Sequence, residues 1–160
     1  MKKIVLLVFL LTSFGFSQSQ TQIDSLQKIL KDWANLNRYK NENAKLILTY
    51  SNKNRIVFMG NSITEEWMRF QPEFFSDNKY INRGISGQTT PQMLIRFRPD
   101  VIDLRPTAVV ILAGINDIAE NTGPSTVKMI AGNIISMTEL AESNGIKVII
   151  SSILPASGFS

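Results

Sequence analysis

From residue 55 onward, short apolar runs alternate with longer stretches in which apolar positions recur every three or four residues. The runs predict strands over Arg55–Met59, Lys79–Asn82, Ala108–Leu112 and Lys147–Ser152. The spaced pattern predicts helices over Ser62–Phe70, over Pro91–Leu104 with an interruption near Pro99, and over Pro124–Asn144. Runs such as "AVVIL" and "VII" are continuous and β-branched, which suits strands buried on both faces, and their alternation with helices specifies a parallel sheet covered on both sides. Thr90-Pro91 and Gly123-Pro124 set proline at the first helical position, where its missing N–H costs nothing. Asn144-Gly145 is a left-handed stop for the last helix.

Upstream of the sheet the pattern is helical. Ile23, Leu26, Leu30, Trp33 and Leu36 form an amphipathic stripe over Thr21–Leu36, and a second helix is expected over Asn43–Tyr50 before the polar turn "SNKN". Residues 18–53 therefore read as an N-terminal helical arm, and 54–160 as the main domain. Residues 1–17 differ: Lys2-Lys3, the apolar run Ile4–Leu11 and then small and polar residues have the order of a secretory signal peptide cleaved after Ser17. The run is shorter than the roughly 20 residues of a membrane span. The expectation is an exported protein, periplasmic or secreted, without a stable membrane anchor. At the other end, "SSILPASGFS" follows directly on a strand where a doubly wound domain adds another helix or strand. The domain reads as incomplete there, with apolar surface from "VIISSIL" exposed and marginal solubility expected.

Composition narrows the chemistry. A chain of 160 residues, 44% hydrophobic and 19% charged, suits one globular domain. Loss of Lys2 and Lys3 with the signal lowers the formal charge from +4 to +2, and the remaining charges are interleaved, so nothing points to nucleic acid. The chain has no cysteine, which excludes disulfides, thiol catalysis and cysteine metal sites. It also has no histidine. No cofactor is implied.

Ligands of open parallel sheets bind beyond the C-terminal strand ends, and three such ends carry unusual residues. After the first strand, "GNSIT" offers Gly60 for a sharp turn and Ser62 at a helix N-terminus, where N–H groups favour developing negative charge. Taken alone, Ser62 reads as an N-cap, with Glu65 completing a capping box. After the second, "NRGISGQTTP" brackets a tight loop with Gly84 and Gly87; its Arg83 reads as a surface or carboxylate-paired arginine. After the third, "GIND" supplies Asn116 and Asp117 at the same rim.

In order and at 25 to 30 residue spacing, these blocks resemble the first three signature blocks of the SGNH, or GDSL-like, ester hydrolases. The resemblance covers Arg55 to about Pro155. It implies a flavodoxin-like three-layer α/β/α sandwich, here lacking its C-terminal strand or helix. Ser62 is similar to the family's catalytic serine, and its N–H, the Gly87 N–H and the Asn116 side chain to the oxyanion donors. Asp117 matches the family's Asn-Asp pair and is expected to orient the loop. Asn61 stands where the family's name motif has aspartate. The family's fourth block, Asp-x-x-His, is absent, and a serine hydroxyl is a weak nucleophile without such a base.

The expectation is an exported serine esterase acting through an acyl-enzyme on Ser62, its histidine missing from this chain, which is then inactive as given. The blocks resemble those of small secreted acetylesterases and acylhydrolases, so the expected substrate is a small-molecule or carbohydrate ester with a short acyl group. A non-catalytic carbohydrate or anion binder is the alternative. A flavodoxin-like cofactor binder fits less well, because Glu65-Glu66 would repel phosphate.

Overall fold

A computed structural model describes residues 20–24, 26–27, 30–48, 54–76 and 79–153. The expected signal peptide, its cleavage point and the final residues 154–160 lie outside them. The chain divides between Asn35 and Leu36 into two compact units. In the first, residues 20–24, 26–27 and 30–31 are helical.

The second unit opens with α1 (Lys40–Leu48) and continues β1 (Ile56–Gly60), α2 (Ser62–Phe70), β2 (Tyr80–Gly84), α3 (Thr90–Asp100), β3 (Ala108–Leu112), α4 (Ile115–Ile118), α5 (Val127–Ser143) and β4 (Lys147–Ile150). Single 3-10 turns follow α2 and α3 at Pro72–Phe75 and Ile102–Leu104. All pairings are parallel and the sheet order is β2-β1-β3-β4. Those are the first four positions of the flavodoxin-like order, whose topological switch point lies between β1 and β3.

The strands alternate between two differently covered faces. Val57, Met59, Val109 and Ile111 pack with Met93 and Phe97 of α3 and Met137 and Ala141 of α5 in the main core. On the opposite face Phe58 meets Trp67, Phe74, Phe75 and Tyr80 edge-on, and Trp67 and Tyr80 stack on Phe74. Toward β4 the packing thins: Ile149 is 53% and Ile150 57% exposed, in line with the apolar surface expected from this segment.

Boundaries moved where side-chain capping outranked the prolines. Thr126 accepts from the Met129 N–H and starts α5, so Pro124 lies in the preceding loop. Thr89 caps α3, its N–H bonded to Gln92 Oε1, which makes Pro91 the second helical residue. Pro99 sits in the last turn of α3, and the interruption expected near it falls at Val101, between α3 and the 3-10 turn Ile102–Leu104. Gly145 takes φ 71°, and the Ile146 N–H returns to the Ala141 carbonyl, closing α5 as the sequence indicated.

Candidate active site

Gly60 pairs in register with both Gly84 and Leu112, so β1, β2 and β3 end at one level, with neighbouring strands about 4.8 Å apart. Ser62, Gly87 and Asn116 follow these ends by two, three and four residues. The register brings all three to the same rim, at the switch point.

The turn at Ser62 departs from the capping expectation. Asn61, 1% exposed, is the N-cap of α2: its Oδ1 accepts from the Ile63 N–H at 3.1 Å. Ser62 is the first helical residue, half-buried, and its hydroxyl is not used for capping. Glu65 closes no capping box, because its carboxylate accepts from the Ser86 N–H (2.7 Å) and hydroxyl and faces Arg38 at 3.4 Å. Gly60 is needed for close approach: a Cβ there would lie 2.0 Å from Thr64 Oγ1 and 3.0 Å from the Leu112 carbonyl.

The loop after β2 is held nearly group by group. The Gly84 N–H donates to Asn82 Oδ1 (2.8 Å), Ile85 to the Gly60 carbonyl (3.1 Å), Ser86 to Glu65, Gln88 to the Ile85 carbonyl (3.3 Å), and Thr89 to Gln92. The Thr90 N–H donates to Asp117 at 2.9 Å. Gly87 is the exception: at φ +76° its N–H has no acceptor among the described residues, while its carbonyl accepts from Asn121 Nδ2 at 3.3 Å. Gly87 is exposed at the tip of this loop, and an N–H without a protein acceptor in an otherwise bonded loop is a donor open to solvent or a ligand.

Asn116 Nδ2 donates to the Gln88 carbonyl at 2.9 Å, which fixes the amide and leaves its second hydrogen unspent. Asp117 is buried and receives the N–H and hydroxyl of Thr90, whose Oγ1 also accepts from Asn133 Nδ2 at 2.9 Å. Its carboxylate ties α4 to the N-terminus of α3. Arg83 is not a surface residue. It is 2% exposed, donates to Asn43 Oδ1 from Nε (3.0 Å) and Nη2 (2.7 Å) and to the Asn82 carbonyl from Nη1, and has Glu42 at 3.6 Å.

Several supporting groups have no sequence-local signature. Tyr39 hydroxyl donates to the Gly84 carbonyl, and burial, partly countered by Arg38 and Arg83, raises its pKa. Asn82 Nδ2 donates to the Thr64 carbonyl at 2.5 Å, clamping α2 onto β2. Arg96, fully buried, carried one available signal: it lies on the inward stripe with Met93 and Phe97, four residues before Asp100.

Glu65 gives the site a pH dependence. Burial pushes its carboxyl up, but the Ser86 hydroxyl and N–H and Arg38 together outweigh this and hold it below its ordinary 4.5. A depressed carboxylate contributes stability above the unfolded pKa and loses it as pH falls through the folded value. The stability difference between wild type and Glu65→Gln is therefore expected to be full at neutral pH and to shrink below pH 4.5. Denaturant unfolding at several pH values measures it; a difference that grows on acidification contradicts the assignment.

The sheet thus brings a serine and unspent amide donors together at its switch point, where open parallel sheets bind ligands. The chain belongs to the GDSL-like lipase/acylhydrolase family, whose profile matches residues 58–160. It is similar to a GDSL-like lipase from Bacteroides thetaiotaomicron (57% identity, TM-score 0.74, covering 78% of this chain and 61% of that one). A candidate acylhydrolase from Bacteroides fragilis is similar at 55% identity and TM-score 0.72, covering 78% of this chain and 60% of that one. An uncharacterized lipoprotein, YqeF of Bacillus subtilis, is 33% identical over 78 residues, 47% of this chain and 32% of the relative. The chain thus spans 60% and 61% of the two solved relatives and a third or less of the lipoprotein. No helix among the described residues is long and apolar enough to cross a membrane.

Proposed function

We propose that the protein is an exported ester hydrolase that transfers a short acyl group to Ser62 and then to water. The observation that carries this reading is the pattern of unspent hydrogen-bonding groups. Asn61 takes the capping role and leaves the Ser62 hydroxyl out of it, while the Gly87 N–H, alone in its loop, has no acceptor among the described residues. Ser62 Oγ attacks the ester carbonyl, its proton passes to a base, and the C=O electron pair moves onto oxygen. The oxyanion is met by the N–H groups of Ser62 and Gly87 and by Asn116 Nδ2, each contributing about 3–4 kcal/mol of transition-state stabilisation. Collapse expels the alcohol, which takes the proton, and water releases the acid by the same steps.

Among the described residues Glu65 and Asp117 are engaged with Ser86 and Thr90, so neither is a free base for Ser62. We assign the base to an Asp-x-x-His encoded downstream of Ser160. Acetyl on a carbohydrate is the proposed substrate, supported by the likeness of "GNSIT" and "NRGISGQTT" to those of small secreted acetylesterases. Export is supported by the signal-like residues 1–17 and by the lipoprotein relative.

The reading frame tests the base. Asp-x-x-His is expected beyond Ser160, and the 160-residue chain alone should turn over little or no p-nitrophenyl acetate. A native stop codon there, or robust turnover by the 160-residue chain, overturns the assignment and favours a binder or a different base.

A further inference from the structure

Arg96 is the largest of the fully buried side chains, at 0% exposure. Its guanidinium donates from Nε to Gln88 Oε1 (2.5 Å), from Nη1 to Asp100 Oδ2 (2.9 Å), and from Nη2 to the carbonyls of Arg83 (2.8 Å) and Gly60 (3.2 Å). Burying an ion pair costs several kcal/mol per ion in desolvation, and an apolar side chain would fill a core position without that cost. Burial lowers the Arg96 pKa, and the Asp100 carboxylate acts against this. A costly group that an apolar side chain could replace is expected where function constrains the chain.

The acceptors indicate the constraint. Gly60 ends β1 two residues before Ser62, Arg83 immediately precedes Gly84, and Gln88 immediately follows Gly87. The Gly60 carbonyl also accepts from Ile85 within the same loop, at 3.1 Å. One planar fork therefore joins the nucleophile turn to both ends of the loop that presents the Gly87 N–H. Asp100 is itself held by Asn43 Nδ2 (2.6 Å), and Asn43 Oδ1 receives Arg83, so the fork is braced from α1.

We propose that Arg96 is the positioning residue of acyl transfer: its guanidinium fixes the Gly87 loop relative to the Ser62 turn, and with it the geometry of the oxyanion donors. This rests on the reading of Ser62 and Gly87 given above. Lysine keeps the charge but offers a single flexible ammonium in place of the fork, so it separates charge from geometry.

The test uses the complete gene product with p-nitrophenyl acetate, comparing wild type, Arg96→Lys and Gln88→Leu. Arg96→Lys should lower kcat about 100-fold with KM within about threefold, since misplacement near 1 Å costs that much in rate. Amide hydrogen exchange at Ile85 and Gln88 should accelerate at least about tenfold, while Val57 and Val109 in the core strands keep their protection. Gln88→Leu leaves the Arg96–Asp100 pair intact and should show the same signature, smaller, so it carries the test if Arg96→Lys does not fold. Folded variants with unchanged kcat and unchanged exchange overturn the proposal, as does protection lost evenly across the sheet, the mark of a purely structural role. Failure of the esterase reading looks different: wild type itself is inactive or survives Ser62→Ala, while exchange in the loop still reports whether Arg96 fixes it.

Discussion

Ser62→Ala in the complete gene product is expected to reduce ester turnover by about 10⁴-fold or more, the scale seen when a serine hydrolase loses its nucleophile. The same substitution should barely change stability. Ser62 is the first helical residue and Asn61 holds the cap, so alanine removes no capping bond from α2. Asn61→Ala should do the reverse to the fold: loss of an N-cap costs about 1 kcal/mol. If Ser62 were the cap and nothing more, Ser62→Ala would lower the melting temperature and leave turnover alone. Turnover of p-nitrophenyl acetate and thermal unfolding, measured on both variants, separate the two roles. A Ser62→Ala protein that keeps most of its activity ends the nucleophile assignment.

The strands were legible because their signal is local. Ala108–Leu112 matches its apolar run residue for residue, and the other three strands shift by no more than two residues at either end. Parallel pairing followed from buried runs alternating with helices, a pattern that strand order then has to satisfy. Helix starts were less legible, since Thr126 and Thr89 compete with nearby prolines and the outcome depends on hydrogen bonds that periodicity does not encode.

At the site, the rim positions Ser62, Gly87 and Asn116 could be read from three short blocks, because each follows its own strand end. The groups that brace them could not. Tyr39 reaches 45 residues along the chain to Gly84, Arg83 reaches 40 to Asn43, and Arg96 reaches 36 to Gly60. Such partners become neighbours only once the sheet order is fixed. Arg83 illustrates the consequence: arginine is mostly exposed, and only the fold buries this one beneath α1. Arg96 was closer to legible, since a charged residue on an inward helical stripe with a carboxylate one turn on is itself anomalous.

Gly84→Ala is expected to be the most damaging glycine-to-alanine change among the described residues, because the atoms it meets are backbone. A Cβ at Gly84 would lie 2.1 Å from the Glu65 backbone N and 2.7 Å from Glu65 Cα and the Thr64 carbonyl carbon. These are main-chain atoms of α2, so no rotamer change relieves the contact and the helix itself must move. Moving it breaks the Asn82 bond to the Thr64 carbonyl and the Glu65 bonds to Ser86, and carries Ser62 away from the Gly87 loop. Overpacking costs about 1–3 kcal/mol where side chains can give way, so about 3 kcal/mol or more is expected here, a fall of about 6–12 °C in melting temperature for a domain of this size. Gly132→Ala is the matched control. That glycine lies within α5 with nothing within 4 Å of a new Cβ, and alanine there should stabilise by about 0.5–1 kcal/mol through helix propensity alone. Thermal unfolding of the two variants therefore moves in opposite directions from wild type, and any Gly84→Ala protein that folds should have lost turnover along with stability. A Gly84→Ala protein as stable as wild type would show that α2 does not rest on the β2 backbone, removing the contact that joins the Ser62 helix to the Gly87 loop.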